Sequence, residues 1–214
     1  MKLVFLGPPG AGKGTQASRL SKELNLEHAS TGDIFRAAVA EDSELGRTVK
    51  SYLDGGKLVP DELTSRVVEE MVLERFEDFI LDGFPRTLPQ AELLDEMLHR
   101  RNEELDAVLY FELGEEDAIE RLEGRLVCPE CGKNYHRKFM PPEEEGICDA
   151  CGSSLKVRSD SSENIVRKRL EEYNEKTRPL VPYYREKGLL KVIDASAEPD
   201  TVCERTKQRI SELA

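Results

Sequence analysis

The sequence predicts an α/β fold: three layers, with one parallel sheet and helices packed on both of its faces. Three observations carry that expectation. Short apolar runs recur along the chain, amphipathic stretches of helical period separate them, and a glycine-rich turn joins the first run directly to a helix.

"KLVFLG" (Lys2 to Gly7) opens the series, and its apolar residues are consecutive rather than alternating, as a strand covered on both faces requires. Thr15 to Leu24 follows with a helical pattern, so the order is strand, loop, helix. Further strands fall at "FILD" (Phe79 to Asp82), "AVLYFEL" (Ala107 to Leu113) and "LLKVID" (Leu189 to Asp194). Two regions break the alternation. Residues 30 to 59 read as short helices joined by "DGGK" (Asp54 to Lys57), whose paired glycines signal a turn. Residues 125 to 162 carry four cysteines, the run "PPEEEG" and little helical pattern, and read as an inserted small domain. A helix is expected to restart near Asp160, because Asp160 and Glu163 have capping-box spacing and Arg167 and Glu171 then share a face. "EPD" (Glu198 to Asp200) marks the start of a last helix, whose Val202, Thr206, Ile210 and Leu213 form one stripe beside Cys203, read as a packing residue.

At 214 residues the chain can bury a core without cross-links. Its net charge of −12 repels a phosphate backbone and argues against a nucleic-acid or anionic-membrane partner. There is no apolar run of about 18 residues, and Met1 and Lys2 lead straight into the first strand, so the expected location is the cytoplasm.

"GPPGAGKGT" (Gly7 to Thr15) is a phosphate-binding loop with one unusual letter. Its glycines let successive N–H groups and a helix N-terminus face anionic oxygens, and Lys13 adds the charge. The common pattern places a hydroxyl directly after the lysine to hold Mg²⁺. Here Gly14 holds that place and the hydroxyl comes one residue later, at Thr15. The metal must then be held largely by the nucleotide's oxygens and by water, and the water needs an acceptor. Asp82, at the end of "FILD", is the candidate; the alternative is a strand-end cap.

The cysteines form two C-x-x-C pairs, Cys128 with Cys131 and Cys148 with Cys151, separated by sixteen residues. That spacing fits a closed, structural four-thiolate Zn²⁺ site, with reduced unpaired thiols as the alternative. His136 is nearby and is left out because four sulfurs complete the shell. A zinc knuckle on a phosphate-loop chain also admits a switch or nucleic-acid-binding module. Glu143 to Glu145 and the overall charge weigh against it.

"GPPGAGKGT", "STGDIFRAAV" (Ser30 to Val39), "GKLVPDE" (Gly56 to Glu62), "LDGFPRT" (Leu81 to Thr87) with Gln90, and "VRKRL" (Val166 to Leu170) resemble the adenylate kinase family in its long form with a zinc-bearing lid, over nearly all of the chain and in the right order. The resemblance implies a Mg²⁺-dependent transfer, ATP + AMP = 2 ADP, serving adenine nucleotide homeostasis, and a monomer. It divides the chain into a core (1-29, 60-124 and 163-214), an AMP-binding insert (30-59) and a lid (125-162).

It also assigns residues. Gly10, Ala11, Gly12, Lys13, Gly14 and Thr15 would bind ATP, together with Arg125 and with Asn134, Tyr135 and Ala197 at the base. Arg36 and Arg86 would grip the AMP phosphate; Arg121, Arg125, Arg158 and Arg169 would close on the transferring phosphates beside Lys13. Arginine suits the task because its planar fork binds phosphate oxygens in pairs and stays charged when desolvated, although singly each also reads as a surface charge. Thr31, Lys57, Leu58, Val59 and the stretch Gly83, Phe84, Pro85, Arg86 with Gln90 would surround the AMP base. Gln90 can offer a donor and an acceptor to adenine, or be an ordinary helix-surface residue. A related enzyme using GTP as donor, or CMP, UMP or GMP as acceptor, keeps the same fold. One departure stands out: family lids often read Arg-x-Asp-Asp, whereas this chain has Arg158, Asp160 and then Ser161. Altered lid hinging or salt sensitivity, rather than lost activity, is the expected consequence.

Overall fold

The computed structural model describes residues 1–55, 57–157 and 163–213. Five parallel strands form the main sheet: β1 (Lys2–Leu6), β2 (Glu27–Ser30), β3 (Phe79–Asp82), β4 (Ala107–Glu112) and β8 (Leu190–Asp194), in the order β2-β3-β1-β4-β8. β1 lies at the centre, where both of its faces are covered.

The consecutive apolar letters of β1 explain the layers. Val4 and Leu6 point to one face, where they pack with Leu81, Leu94, Leu180 and Tyr184. Leu3 and Phe5 point to the other, against Ala17, Leu20, Val202 and Ile210. Strand side chains alternate between faces, so a strand apolar at every position feeds two cores at once. Helices α1 (Lys13–Leu24) and α9 (Pro199–Ser211) cover the second face; α5 (Leu88–Arg100) and α8 (Leu180–Glu186) cover the first. Cys203 is buried in the second core, as its packing role requires.

β2 was not anticipated. Of its four residues, Glu-His-Ala-Ser, only Ala29 is buried, because it forms an edge strand held by its register with β3. An edge strand needs no apolar run, and its pairing partner lies some fifty positions away in sequence.

Helices α2 (Thr31–Ala40) and α3 (Glu44–Asp54) form a hairpin with a small core of Phe35, Val49, Val59 and Val67. The joint between them is Glu41 to Ser43, where Asp42 adopts φ 50° and the Ser43 hydroxyl caps α3 by accepting from Gly46 N–H at 3.0 Å. Asp54 of "DGGK" instead ends α3, with Gly55 as its C-cap, ahead of α4 (Asp61–Val68), which continues as a π-helical turn over Glu69–Leu73. After α6 (Glu115–Glu123), an antiparallel sheet of order β6-β5-β7 joins β5 (Arg125–Val127), β6 (Asn134–His136) and β7 (Lys156–Val157). Asn134 and Tyr135 therefore lie on a strand. α7 (Glu163–Glu172) runs into a second π-helical turn at Tyr173–Thr177. Within α7, Arg167 pairs with Glu163 at 3.0 Å. The expected cap at Asp160, together with Arg158 and Ser161, lies outside the described residues. Among the described residues, no helix is long and apolar enough to cross a membrane.

Candidate active site

The carboxyl ends of β1, β3 and β2 are in register, with Phe5 opposite Asp82 and Asp82 opposite Ser30. Loops leaving these ends therefore converge at one edge of the sheet, the usual place for a ligand in an open parallel sheet. The loop from β1 to α1 needs its glycines for close approach. Gly10 adopts φ 86°, and a Cβ there would meet the Ala118 carbonyl at 2.7 Å.

Lys13 is the first residue of α1, and its Nζ donates to the Gly7 and Pro8 carbonyls at 2.7 and 2.9 Å. Burial pushes the ammonium down to about 8; Asp82 opposes that change, while Arg86, Arg169 and Arg125 reinforce it. A cation buried among guanidinium groups is waiting for negative charge. Burial pushes the Asp82 carboxyl up, but the His28 contact, Lys13 and Arg86 together hold it below the ordinary carboxylate range. His28 Nε2 lies 3.7 Å from Asp82 Oδ2. A Cβ on Gly14 would stand 3.1 Å from the same oxygen, so the bare Gly14 leaves Asp82 room beside the loop. An ionised carboxylate at the mouth of a phosphate loop, with no side chain between them, fits water-mediated Mg²⁺.

Two adjoining cavities open here. The first is lined by Thr31, Lys57, Leu58, Val59, Gly83, Pro85 and Gln90, and also by Glu172, Tyr173 and Thr177. The second is lined by Gly10, Ala11, Gly12, Gly14, Thr15, Asp82, Arg121, Arg125, Asn134, Tyr135, His136 and Ala197. Pro9, Lys13, Gly32, Arg36, Arg86 and Arg169 line both. Four cations thus stand where the cavities meet. Arg86 is held by its own Nε bond to Gly83 O at 2.8 Å and by Thr177 Oγ1, which donates to its carbonyl at 2.8 Å. Arg36 pairs with Asp33 one turn away.

Several site residues make contacts that their motifs do not announce. Arg121 donates to the carbonyls of Ala195, Ser196 and Ala197 at 2.8, 2.9 and 3.0 Å, and its guanidinium lies 5.4 Å from the Phe139 ring centroid. It holds the loop after β8. Gln90 is buried, at 2% exposure, and bonded at both ends of its amide, which rules out the helix-surface reading. The Phe84 side chain is in the sheet core, so only its backbone can face the cavity. Thr31 Oγ1 donates to Gly83 O at 2.9 Å, tying α2 to the loop after β3. Asn134 Oδ1 is buried without a hydrogen-bond partner among the described residues.

The four cysteine sulfurs lie within 4.8 Å of one another, with Cys128 and Cys151 at 3.4 Å and Cys131 and Cys148 at 3.5 Å. Tetrahedral Zn–S bonds of about 2.3 Å set sulfurs about 3.8 Å apart, so the cluster fits the ion. The Tyr135 hydroxyl approaches Cys148 Sγ at 3.4 Å and accepts from Asp149 N–H at 2.9 Å. This contact is the main influence drawing the Cys148 thiol down to about 6. The Tyr135 side chain thus touches the cysteine cluster, and the residue also lines the second cavity. His136 Nδ1 accepts from Lys138 and Phe139 N–H, and its ring occupies the space that a side chain on Gly124 would need.

His28, Thr177 and Tyr173 had not been singled out from the sequence. His28 meets Asp82 across 54 positions, Thr177 meets Arg86 across 91, and Tyr173 lines the first cavity; no local pattern announces any of these.

A family model described as adenylate kinase matches residues 5–189. The adenylate kinase of Moorella thermoacetica is 52% identical over 198 residues, covering 92% of this chain and 91% of that protein. The adenylate kinase of Caldanaerobacter subterraneus is 49% identical over 214 residues, covering 98% and 96%. That of Clostridium acetobutylicum is 46% identical over 215 residues and covers both chains completely.

Proposed function

The chain belongs to the adenylate kinase family and catalyses ATP + AMP = 2 ADP; we propose that the first cavity takes AMP, the second takes ATP, and the transfer occurs where they meet. The observation that carries this reading is the set of cations common to both cavities: Lys13, Arg36, Arg86 and Arg169. Two phosphate tails drawn to one cationic junction are aligned end to end, which is most of what phosphoryl transfer asks of a protein.

In this reading Lys13 leaves the Gly7 and Pro8 carbonyls for the ATP phosphates, alongside the N–H groups of Gly10 to Thr15. Arg86 and Arg36 hold the AMP phosphate as the attacking group; Arg125, Arg158 and Arg169 neutralise the charge spread over the moving phosphoryl group. Arg121 contributes by fixing Ala197 and its neighbours at the ATP base. Asp82 would accept from the water of Mg²⁺ carried in with the nucleotide, and the ion would supply charge neutralisation for the phosphates. Gln90, Thr31 and the backbone of Lys57 to Val59 enclose the AMP base.

Residues 1-29, 60-124 and 163-214 act as the core, 30-59 as the AMP-binding insert and 125-162 as a lid that excludes water which would otherwise hydrolyse ATP. Cys128, Cys131, Cys148 and Cys151 would hold Zn²⁺ that stiffens the lid and takes no part in the chemistry. Four clustered thiols also suit a reducing compartment, and we place the protein in the cytoplasm.

A panel of AMP, GMP, CMP and UMP with ATP or GTP tests the reading, with zinc content measured on the same sample. ATP with AMP is expected to be the fastest pair. Failure to phosphorylate any monophosphate overturns it.

A further inference from the structure

The Gln90 amide is held by two partners of opposite kind. Its Oε1 accepts from the backbone N–H of Arg86 at 2.7 Å, and its Nε2 donates to Asp61 Oδ1 at 2.8 Å. A backbone N–H can only donate and an ionised carboxylate can only accept. Turning the amide over would set donor against donor at Arg86 and acceptor against acceptor at Asp61. Gln90 therefore has one orientation. Among the described residues the second N–H of its Nε2 and the second lone pair of its Oε1 remain uncommitted, and Gln90 lines the first cavity, whereas Asp61 does not.

We propose that Asp61, the first residue of α4, is a positioning residue that sets the acceptor base preference by locking the Gln90 amide in the sense that reads adenine and rejects 6-oxopurines. The inference rests on the reading that the first cavity takes the monophosphate base. Adenine presents an acceptor at N1 and a donor at its 6-amino group, which match one N–H and one carbonyl oxygen. Hypoxanthine presents N1–H and a 6-oxo group, the reverse pair. The same amide in the same place serves one base or the other according to which way it is turned, and a site left with mismatched polar groups discriminates strongly. IMP is the clean probe because it differs from AMP only at this edge.

The test is steady-state kinetics with AMP and IMP as acceptors for the native chain, Asp61→Asn and Asp61→Glu. Asparagine keeps the size but can donate or accept, which removes the lock on one side. The AMP to IMP ratio of kcat/KM is expected to fall roughly tenfold in Asp61→Asn, as a charge-assisted bond gives way to a neutral one, with AMP losing and IMP gaining. Asp61→Glu keeps an acceptor-only group and holds the ratio within about threefold even where both rates drop. General loosening of the pocket lowers both acceptors together and leaves the ratio alone. An unchanged ratio in Asp61→Asn overturns the proposal, and so does an equal collapse in both variants. Should Asp61→Asn fail to fold, Asp61→Ser carries the same expectation. A native chain that does not phosphorylate AMP overturns the acceptor reading itself, which is a separate result.

Discussion

The Cβ that Gly14 lacks would stand 3.1 Å from Asp82 Oδ2. This closeness gives a physical reason for the missing hydroxyl: a side chain after Lys13 would press on the carboxylate proposed to hold the Mg²⁺ water. Gly14→Ser, which restores the common phosphate-loop letter, is expected to lower kcat roughly tenfold through displacement of a few tenths of an ångström and to raise the Mg²⁺ concentration needed for half-maximal rate. A magnesium titration of both proteins checks it; a variant with an unchanged titration would remove Asp82 from the metal's surroundings.

Lys13 makes a prediction about pH. Burial pushes its ammonium down to about 8, so above that value it is mostly neutral, and phosphate oxygens brought beside it would raise it again. ATP binding at pH 8.5 should therefore take up protons, and binding at pH 6.5, where Lys13 is already charged, should draw none through this group. Calorimetry in two buffers of different ionisation enthalpy measures the difference. Lys13→Met should abolish the uptake and cost at least about a hundredfold in kcat, the scale of one lost stabiliser of transition-state charge.

Arg121 separates base binding from chemistry. Its three bonds to Ala195, Ser196 and Ala197 fasten the loop beside the proposed ATP base. Arg121→Ala is expected to raise KM for ATP roughly tenfold, the value of one or two charge-assisted hydrogen bonds, with a smaller effect on kcat. A fall in kcat alone would put Arg121 on the moving phosphates instead.

Tyr184 is fully buried, and its hydroxyl has no partner among the described residues. A buried unpaired hydroxyl costs about 1–3 kcal/mol. Tyr184→Phe should therefore be more stable in urea by about 1 kcal/mol, with activity unchanged. Loss of stability would mean that a buried water pairs with the hydroxyl.

Metal removal should act locally. A strong chelator under reducing conditions is expected to abolish activity and loosen residues 125-162 while the main sheet stays folded, because the cysteine cluster and the two sheet cores are separate. Hydrogen exchange resolved by segment shows this directly, and uniform protection after zinc loss would contradict it.

Legibility of the fold followed burial. β1, β3 and β4 announced themselves because strands covered on both sides are apolar almost throughout; β8, an edge strand with only Ile193 buried, was legible because Leu190, Val192 and Ile193 are still apolar letters, while β2 offers Ala29 alone and leaves no such trace. Residue types at the site were legible through the glycine loop, the arginines and the paired cysteines. Their partners were not. Arg121 bonding the carbonyl of Ala195, the Tyr135 hydroxyl approaching Cys148 and the Gln90 amide bonding Asp61 are contacts between segments distant in sequence, which no local pattern announces.

The register that sets Phe5 beside Asp82 and Asp82 beside Ser30 also works as a ruler. One residue of slippage between neighbouring strands would carry the carboxylate about 3.3 Å along the sheet, farther than a water molecule is wide. Accuracy at the catalytic edge is thus borrowed from backbone pairing deep in the interior, and mutations that merely soften that interior can blur the chemistry without touching a single group that performs it.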